Sequence, residues 1–338
     1  MRNNTAAYDE IRHLLLGMFI SRSLTAVAEL NIAELLHNGP QSVDMLAKET
    51  DSDPDALYRV LRTLAAVNVF EELKDRTFKN NALSDTLRID AEHSAHAIVR
   101  WINDPGCWAS WGRLDYSIKT GRPATEAVLG SDLFTWLQEH PSSLKRFQEA
   151  MTGFCNIAAH GVVETFDFSA INKIVDIGGG HGLLLGKILT RYHTTTGVLF
   201  DRPEVIDQAL PLLTKLGVAD RVETVAGDFF EHIPSGADAY IMKHVLHDWD
   251  DKHCMMILNN CHNAMKPNSR LLVVEAVMDD GPNSLFAKQA DLETLVITTG
   301  GRERTQQEFA DLFSRCGLKL QRLIKTDYPA VILEAVAH

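Results

Sequence analysis

The stretch KIVDIGGGHG, residues 173–182, decides the fold class of this 338-residue chain. Its apolar residues predict a buried strand that carries Asp176 near its end. Its glycines predict a turn, and the apolar run 183–189 predicts the helix that follows. A strand, a glycine-rich turn and a helix in this order form the ligand-binding corner of an α/β fold, because a ligand can approach a backbone that lacks Cβ atoms.

Three further motifs follow in order: LFDRPEVI from Leu199, AGDFFEHIP from Ala226 and MKHVLHDWDD from Met242. Each begins in or directly after a predicted strand. In an open α/β sheet, ligands bind outside the carboxyl ends of the strands. The side chains that we expect to face one crevice are therefore Asp176, Asp201, Asp228 and His247.

Asp201 lies about 20 residues beyond the glycines, where an acid can bind both ribose hydroxyls of a nucleotide or nucleoside. Two alternatives use the same residues. The glycine turn with its acid also fits NAD. In a domain without a ligand, Asp201 would instead cap the helix that starts at Pro203.

These motifs, together with VVEAV at 273–277 and GGRERTQQEF at 300–309, give the chain a family resemblance. It resembles the S-adenosylmethionine-dependent O-methyltransferases of the caffeic acid and acetylserotonin type, including bacterial relatives that act on natural products. The resemblance runs through nearly the whole chain. It implies an α/β fold, with a class I methyltransferase Rossmann-like seven-stranded sheet and an N-terminal helical winged-helix dimerisation domain.

The resemblance also implies roles for individual residues. S-adenosylmethionine, the expected cofactor, would be bound by Gly178, Gly179, Asp201, Asp228, Phe229 and Lys243. His247 would be the general base, oriented by Glu275 and Glu303. The expected substrate-binding positions are Trp101, Phe147, Met151, Phe154, Thr294 and Thr298.

The chemistry of methyl transfer to oxygen agrees with this assignment. A histidine with a pKa of about 6.5 is largely neutral at physiological pH and can accept a hydroxyl proton, while a carboxylate fixes its tautomer. The segment 244–251 (HVLHDWDD) could alternatively bind a metal. It lacks an H-E-x-x-H pattern, however, and Asp250 and Asp251 suit a helix cap, so we expect no metal.

Two departures from the family concern the acceptor. Thr298 stands where plant relatives often have asparagine, and Phe154 stands where they have histidine. These positions argue against a plant phenylpropanoid substrate.

The aromatic residues of 98–154 suit either core packing or a flat aromatic substrate.

The first third of the chain has a winged-helix pattern, with helices over 42–50 and 54–67 and a hairpin from 70–73 and 77–79. The second helix is largely apolar, and only Arg59 and Arg62 are basic. The net charge of −12 also argues against a nucleic-acid surface. We therefore expect a homodimer, formed through apolar helices over 11–20 and 24–36.

We divide the chain into a dimerisation domain (1–95), a helical linker (96–165) that contributes to the substrate pocket, and a catalytic domain (166–338). Five cysteines without a C-x-x-C pair indicate a reducing, cytoplasmic location, and no stretch approaches transmembrane length. The predicted function is methylation of a hydroxyl group on a small aromatic natural product. The alternatives are N- or C-methylation on the same scaffold, or a ligand-sensing winged-helix regulator.

Overall fold

A computed structural model describes residues 4–91, 93–279 and 285–338. The chain forms two compact units. Unit 1 runs to Trp108 and includes Pro141–Gly153, and unit 2 comprises Ala109–His140 and Phe154–His338. The division at residues 95 and 165 stays a prediction.

Unit 1 contains the winged-helix elements that the sequence predicts. The strands pair in the order β1-β3-β2, all antiparallel. The Ser42 hydroxyl caps α3 by accepting from the Met45 N–H, and the Asp53 carboxylate caps α4. The elements are α1 (Asn4–Glu29), α2 (Ile32–Leu35), β1 (Gln41–Ser42), α3 (Val43–Glu49), α4 (Pro54–Ala65), β2 (Glu71–Leu73), β3 (Thr77–Lys79), α5 (Ala82–Asp85) and α6 (His96–Ile102).

The prediction of separate helices over 11–20 and 24–36 is wrong. One continuous helix, α1, runs from Asn4 to Glu29, because none of the residues 21–23 interrupts a helix. The break comes at Asn31, whose φ of 53° places it in the left-handed region. Asparagine tolerates that conformation better than most residues do, so the chain turns there into the short helix α2.

The apolar residues of α1 are largely exposed within the chain; Leu14, for example, is 74% exposed. The prediction that no stretch approaches transmembrane length is also wrong, since Ala6–Glu29 is long enough and contains 18 consecutive residues with a mean hydropathy of 1.2. Those 18 residues include at most two acidic or basic side chains, and 17% of them are buried. The C-terminal part of α1 is buried in unit 1, for example at Val27, so the exposed apolar residues before Ile20 are the ones that favour a covering surface.

Unit 2 is built around the predicted seven-stranded sheet. Its strand order is β11-β12-β8-β7-β4-β5-β6, and only β12 runs antiparallel to its neighbours. The helices of this part of the chain, two of which also include residues of unit 1, are α7 (Pro105–Trp111), α8 (Leu114–Thr120), α9 (Ala124–Leu129), α10 (Leu133–Glu139), α11 (Pro141–Thr165), α12 (Leu183–Arg191), α13 (Pro203–Ile206), α14 (Leu210–Lys215), α15 (Asp251–Ala264), α16 (Leu285–Ile297) and α17 (Gln306–Arg315). The strands are β4 (Lys173–Ile177), β5 (Thr196–Asp201), β6 (Val222–Ala226), β7 (Ala239–Lys243), β8 (Arg270–Glu275), β9 (Val277–Met278), β10 (Arg304–Thr305), β11 (Leu318–Lys325) and β12 (Val331–Ala337).

The strand order reverses between β4 and β7, which are parallel neighbours. From β4 the chain continues to β5 on one side, and β7 lies on the other. Such a reversal leaves a crevice outside the carboxyl ends of the strands. Two apolar clusters, one on each face, bury the sheet and hold these strand ends in place. The predicted fold class is confirmed.

Candidate active site

The glycine turn after β4 has a backbone that other residues would strain. Gly178, Gly180 and Gly182 all have positive φ, at 64°, 59° and 80°. A Cβ on Gly179 would lie 2.7 Å from the Asp176 carboxylate and 2.5 Å from the Leu199 side chain. The turn therefore needs glycine for its own geometry, and it presents bare backbone at the carboxyl edge of the sheet.

Asp201 ends β5 beside this turn. Its Oδ2 accepts a hydrogen bond from the Gly180 N–H at 2.8 Å, and its Oδ1 accepts one from the Arg202 N–H at 2.7 Å. The alternative in which Asp201 caps the next helix is wrong, since Arg202 is the N-cap of α13 and no side chain caps it. Burial raises the pKa of Asp201, although both N–H groups oppose the rise.

Asp176, on β4, is a buried carboxylate beneath the turn. Its Oδ2 has no hydrogen-bond partner among the described residues. Burial raises the pKa of Asp176 to about 7, and the Lys243 ammonium partly offsets that rise. A buried carboxylate with one unpaired oxygen favours a cationic ligand. Bare backbone next to two acids thus fits a nucleoside cofactor that carries positive charge.

The turn after β6 places an aromatic ring near the glycines. A Cβ on Gly178 would lie 3.8 Å from the Phe229 ring. Asp228 accepts a hydrogen bond from the Phe230 N–H, and the Asn260 amide donates to the carbonyls of Phe229 and Phe230. These bonds hold the ring in place. Asn260 was not among the predicted site residues, because a polar residue within a helix does not reveal in the sequence which loop it contacts.

His247 lies in a single 3-10 turn, Leu246–Asp248, that follows β7. Its Nδ1 is 2.8 Å from Glu303 Oε1, and both side chains are largely buried. The contact places the proton on Nδ1, which donates to the carboxylate. The other ring nitrogen, Nε2, does not contact Glu303 and lies 3.7 Å from the Asp248 carboxylate.

Glu275, at the end of β8, contacts the same turn differently. Its Oε1 accepts hydrogen bonds from the Val245 and Leu246 N–H groups at 3.0 and 2.9 Å. Its Oε2 is 3.3 Å from His244 Nδ1 and 3.9 Å from His247 Nδ1. The two glutamates expected to orient His247 are therefore unequal, since Glu303 bonds to the ring and Glu275 holds the backbone that carries it.

The charges around His247 shift several pKa values. Burial opposes the imidazolium, but the carboxylates of Asp248, Glu275 and Glu303 outweigh it and raise the pKa of His247 to about 10. Burial raises the pKa values of Asp248 and Glu303 as well. Burial also opposes the ionisation of Glu275, yet the neighbouring imidazoles and the Val245 N–H lower its pKa to about 2. The cluster thus stabilises the imidazolium form of His247 next to ionised Glu275, so the pKa of His247 lies above the ordinary value of about 6.5 used in the sequence analysis.

His244 is a second imidazole in this cluster. Its φ of 51° is unusual for a residue other than glycine, and burial lowers its pKa to about 4. The ligand atoms of His244, His247 and Glu275 lie within 4.8 Å of one another, a spacing that a metal ion could use. The expectation that no metal binds stays a prediction.

The expected substrate-binding residues fall in both units. In unit 1, Trp101 is buried and packs edge-on against Phe147, with ring centroids 5.0 Å apart, and Met151 is 37% exposed. In unit 2, Phe154 is half-buried. Thr294 and Thr298 are buried there, and the Thr298 hydroxyl donates to the Thr294 carbonyl at 2.9 Å.

Comparisons with known proteins agree with this arrangement. The O-methyltransferase domain profile matches residues 111–319, and the O-methyltransferase dimerisation domain profile matches residues 12–89. The chain belongs to the O-methyltransferase family. It is an S-adenosylmethionine-dependent enzyme, so NAD binding and a purely regulatory role are set aside.

Relatives of known activity cover almost the whole chain. The chain is 39% identical to the mitomycin biosynthesis 6-O-methyltransferase of Streptomyces lavendulae over 94% of this chain and 90% of that protein. It is 37% identical to the phenazine O-methyltransferase PhzM of Lysobacter antibioticus over 98% of both. Among solved structures, LaPhzM matches with a TM-score of 0.93, 36% identity and coverage of 98% and 99%. Human N-acetylserotonin methyltransferase in complex with SAM matches with a TM-score of 0.90, 25% identity and coverage of 98% and 97%.

Asp201→Ala should weaken the binding of S-adenosylhomocysteine about 10- to 100-fold, since a hydrogen bond to a charged group contributes about 1.5–3 kcal/mol. Titration calorimetry measures the change. Asp207→Ala, an exposed acid just past α13, is the matched control and should bind as the wild type does. Equal affinity in both variants would contradict the assignment of Asp201.

Cofactor affinity should also depend on pH through Asp176. The carboxyl is protonated below its raised pKa of about 7, whereas a cationic ligand favours the ionised form, so binding should release a proton. Affinity for S-adenosylhomocysteine, which retains an ammonium group, should therefore rise as the pH passes upward through about 7. Calorimetry in two buffers with different ionisation enthalpies detects the proton. Asp176→Asn should abolish its release, and an unchanged release would assign it to another group.

Proposed function

We propose that the enzyme methylates a hydroxyl group of a small aromatic natural product, with His247 as the general base. The single observation that carries the proposal is the hydrogen bond between His247 Nδ1 and Glu303. When bound, S-adenosylmethionine supplies a methyl group on a sulfonium. The chain must align the acceptor and remove its proton.

The geometry of the pair suits proton removal. Glu303 accepts from Nδ1, which leaves Nε2 as the nitrogen that takes the hydroxyl proton. The imidazolium that results is stabilised by the carboxylates of Glu303, Glu275 and Asp248. We further propose Gly178, Gly179, Asp201, Asp228, Phe229 and Lys243 as the residues that hold the cofactor.

The acceptor contacts are proposed mainly on the family resemblance. They are Trp101, Phe147, Met151, Phe154, Thr294 and Thr298. Within unit 2, Thr298 and Glu303 also border one cavity of about 520 Å³, together with Leu295 and Met278. Asp291, Arg302 and Glu308 line the same cavity, so its lining is largely polar. The cavity places Thr298 on the same wall as the carboxylate of the pair.

N-methylation is the second candidate, because two relatives are named for it. They are an 8-amino-8-demethylriboflavin N,N-dimethyltransferase, 34% identical, and a phenazine-1-carboxylate N-methyltransferase, 29% identical. A nucleophilic nitrogen has less need of a base, so the pair of His247 and Glu303 favours oxygen. Screening phenols, amines and carbon acids with labelled cofactor, scored by the mass shift of the product, separates the candidates.

We also propose that the enzyme is a homodimer in which a second copy covers the exposed apolar residues of α1. The dimerisation profile matches most of this helix, which supports a partner chain rather than a membrane as the covering surface. Two further expectations stay predictions: that the protein binds no nucleic acid, and that it is located in the cytoplasm.

The double substitution Leu14→Glu and Leu15→Glu should lower the mass measured by light scattering, because it places charges in the proposed interface. Ile118→Glu is the matched control. Ile118 is also highly exposed, but it lies in unit 2, outside the residues matched by the dimerisation profile. A wild-type protein that is monomeric at micromolar concentration and fully active would contradict the proposal.

His247→Ala should reduce turnover about 10²- to 10⁴-fold on a phenol of pKa near 10, since it removes the general base. Affinity for S-adenosylhomocysteine should stay nearly unchanged. His193→Ala, an exposed histidine after α12, is the matched control. Wild-type turnover in His247→Ala would point to an amine or carbon acceptor, or to a hydroxyl that is already ionised.

The pH dependence of the rate gives a test in which the direction of the change is predicted. Only neutral His247 accepts a proton, so the rate should rise with pH, and the raised pKa moves that rise to the alkaline side of 6.5. Glu303→Gln removes one carboxylate that stabilises the imidazolium. It should therefore move the rising limb to lower pH while also lowering the maximal rate. A limb that stays in place would show that Glu303 does not act on His247.

A further inference from the structure

We propose that Arg304 is a positioning residue that sets the distance between His247 and Glu303. The inference rests on the proposed function. Arg304 follows Glu303 in the chain, begins β10 and is completely buried. Burial of a guanidinium is costly unless its donors are paired, so its hydrogen bonds indicate its role.

Two of those bonds bracket the turn that carries His247. Arg304 Nη1 donates to the Leu246 carbonyl at 3.0 Å, and Nη2 donates to the Trp249 carbonyl at 2.8 Å. One carbonyl immediately precedes His247, and the other lies two residues after it. The same planar group therefore holds both sides of the turn, while its own backbone continues directly from Glu303.

The remaining donors of the guanidinium are also occupied. Nε and Nη2 both donate to Asp251 Oδ1, at 3.1 and 2.8 Å, and Nη1 donates to the Arg302 carbonyl at 3.3 Å. The five hydrogen bonds equal the five N–H groups that a guanidinium has. Asp251 is the first residue of α15, so Arg304 also ties the turn to that helix.

Backbone contacts complete the frame around the pair. The Arg302 N–H donates to the His247 carbonyl at 2.8 Å. The Glu303 N–H donates to the Asp291 carboxylate at 2.9 Å. The segment 302–304 is thus bound to the turn by two of its residues, and the Glu303 carboxylate reaches the imidazole from between them.

Lysine cannot replace this arrangement. An ammonium has three donors at one point, so it cannot reach two separate carbonyls and a carboxylate in the plane that Arg304 spans. Arg304→Lys would keep the charge but, with three donors in place of five, would lose at least two of the five hydrogen bonds. The turn should then loosen, and the bond between His247 and Glu303 should lengthen. The cofactor candidates of β4, β5 and β6 lie on other elements and should be unaffected.

The test compares Arg304→Lys with Arg302→Lys. Arg302 also pairs with Asp251, but its side chain reaches no carbonyl of the turn among the described residues, so it is the matched control. Arg304→Lys should lower kcat about 10- to 100-fold, with KM for the acceptor and affinity for S-adenosylhomocysteine within about twofold. The rising limb of its pH profile should move to lower pH. Arg302→Lys should behave as the wild type does.

A double-mutant cycle shows whether Arg304 acts through the pair. In a His247→Ala background, Arg304→Lys should cost little further kcat, because the base that it positions is gone. The downfield proton NMR signal of the His247 Nδ1–H should weaken in Arg304→Lys and persist in Arg302→Lys. The proposal is overturned if the fold losses of kcat in the two single variants multiply in the double variant. It is also overturned if folded Arg304→Lys keeps the wild-type kcat and proton signal.

Two further outcomes are decisive. If Arg304→Lys does not fold, Asp251→Asn takes its place in the test. Asp251→Asn should lower kcat and weaken the proton signal, each by less than Arg304→Lys would. Wild-type kcat and signal in Asp251→Asn would overturn the proposal. Failure of the proposed function looks different, since His247→Ala itself would then retain its rate. Loss of rate in His247→Ala without loss in Arg304→Lys rejects only the role of Arg304.

Discussion

The hydrogen bond between His247 and Glu303 joins two segments that lie 56 residues apart, and the proposed catalytic half of the site depends on it. Neither partner is held by its own secondary structure alone. His247 lies in a single 3-10 turn, and Glu303 precedes a two-residue strand. Short elements of this kind keep their geometry only when other groups fix them. Here the Glu275 carboxylate, the Arg304 guanidinium and the Arg302 backbone do so.

The two halves of the site use buried carboxylates in different ways. Asp176 is buried beneath the glycine turn with one carboxylate oxygen unpaired, which leaves that oxygen available to a cationic ligand. Glu275 and Glu303 are buried beside an imidazole, and their charge favours a proton on His247. The first arrangement favours binding of a cation, and the second favours retention of a proton. Both follow from the same rule, that a buried charge needs a partner of opposite sign.

Sequence reasoning predicted the cofactor half more completely than the acceptor half. Asp176, the glycine turn, Asp201 and Asp228 lie at the ends of successive parallel strands, and strand ends can be located from apolar runs. Glu275 and Glu303 required the family resemblance, and their unequal contacts with His247 required coordinates. Arg304 lies in the motif 300–309, but a single arginine in a polar segment does not reveal that it will be buried. The continuity of α1 was missed because an apolar run with polar interruptions predicts two helices as well as one.

The division between the halves also explains how one scaffold serves acceptors of different chemistry. The proposed cofactor half is set by backbone geometry, since Gly179 has no room for a side chain, and this constraint does not involve the methyl acceptor. The acceptor half depends on a turn that distant side chains hold. A nitrogen nucleophile needs alignment there but little help with its proton, whereas a phenol needs both. The carboxylate partner of His247 is therefore the feature of this chain that argues for oxygen as the acceptor atom.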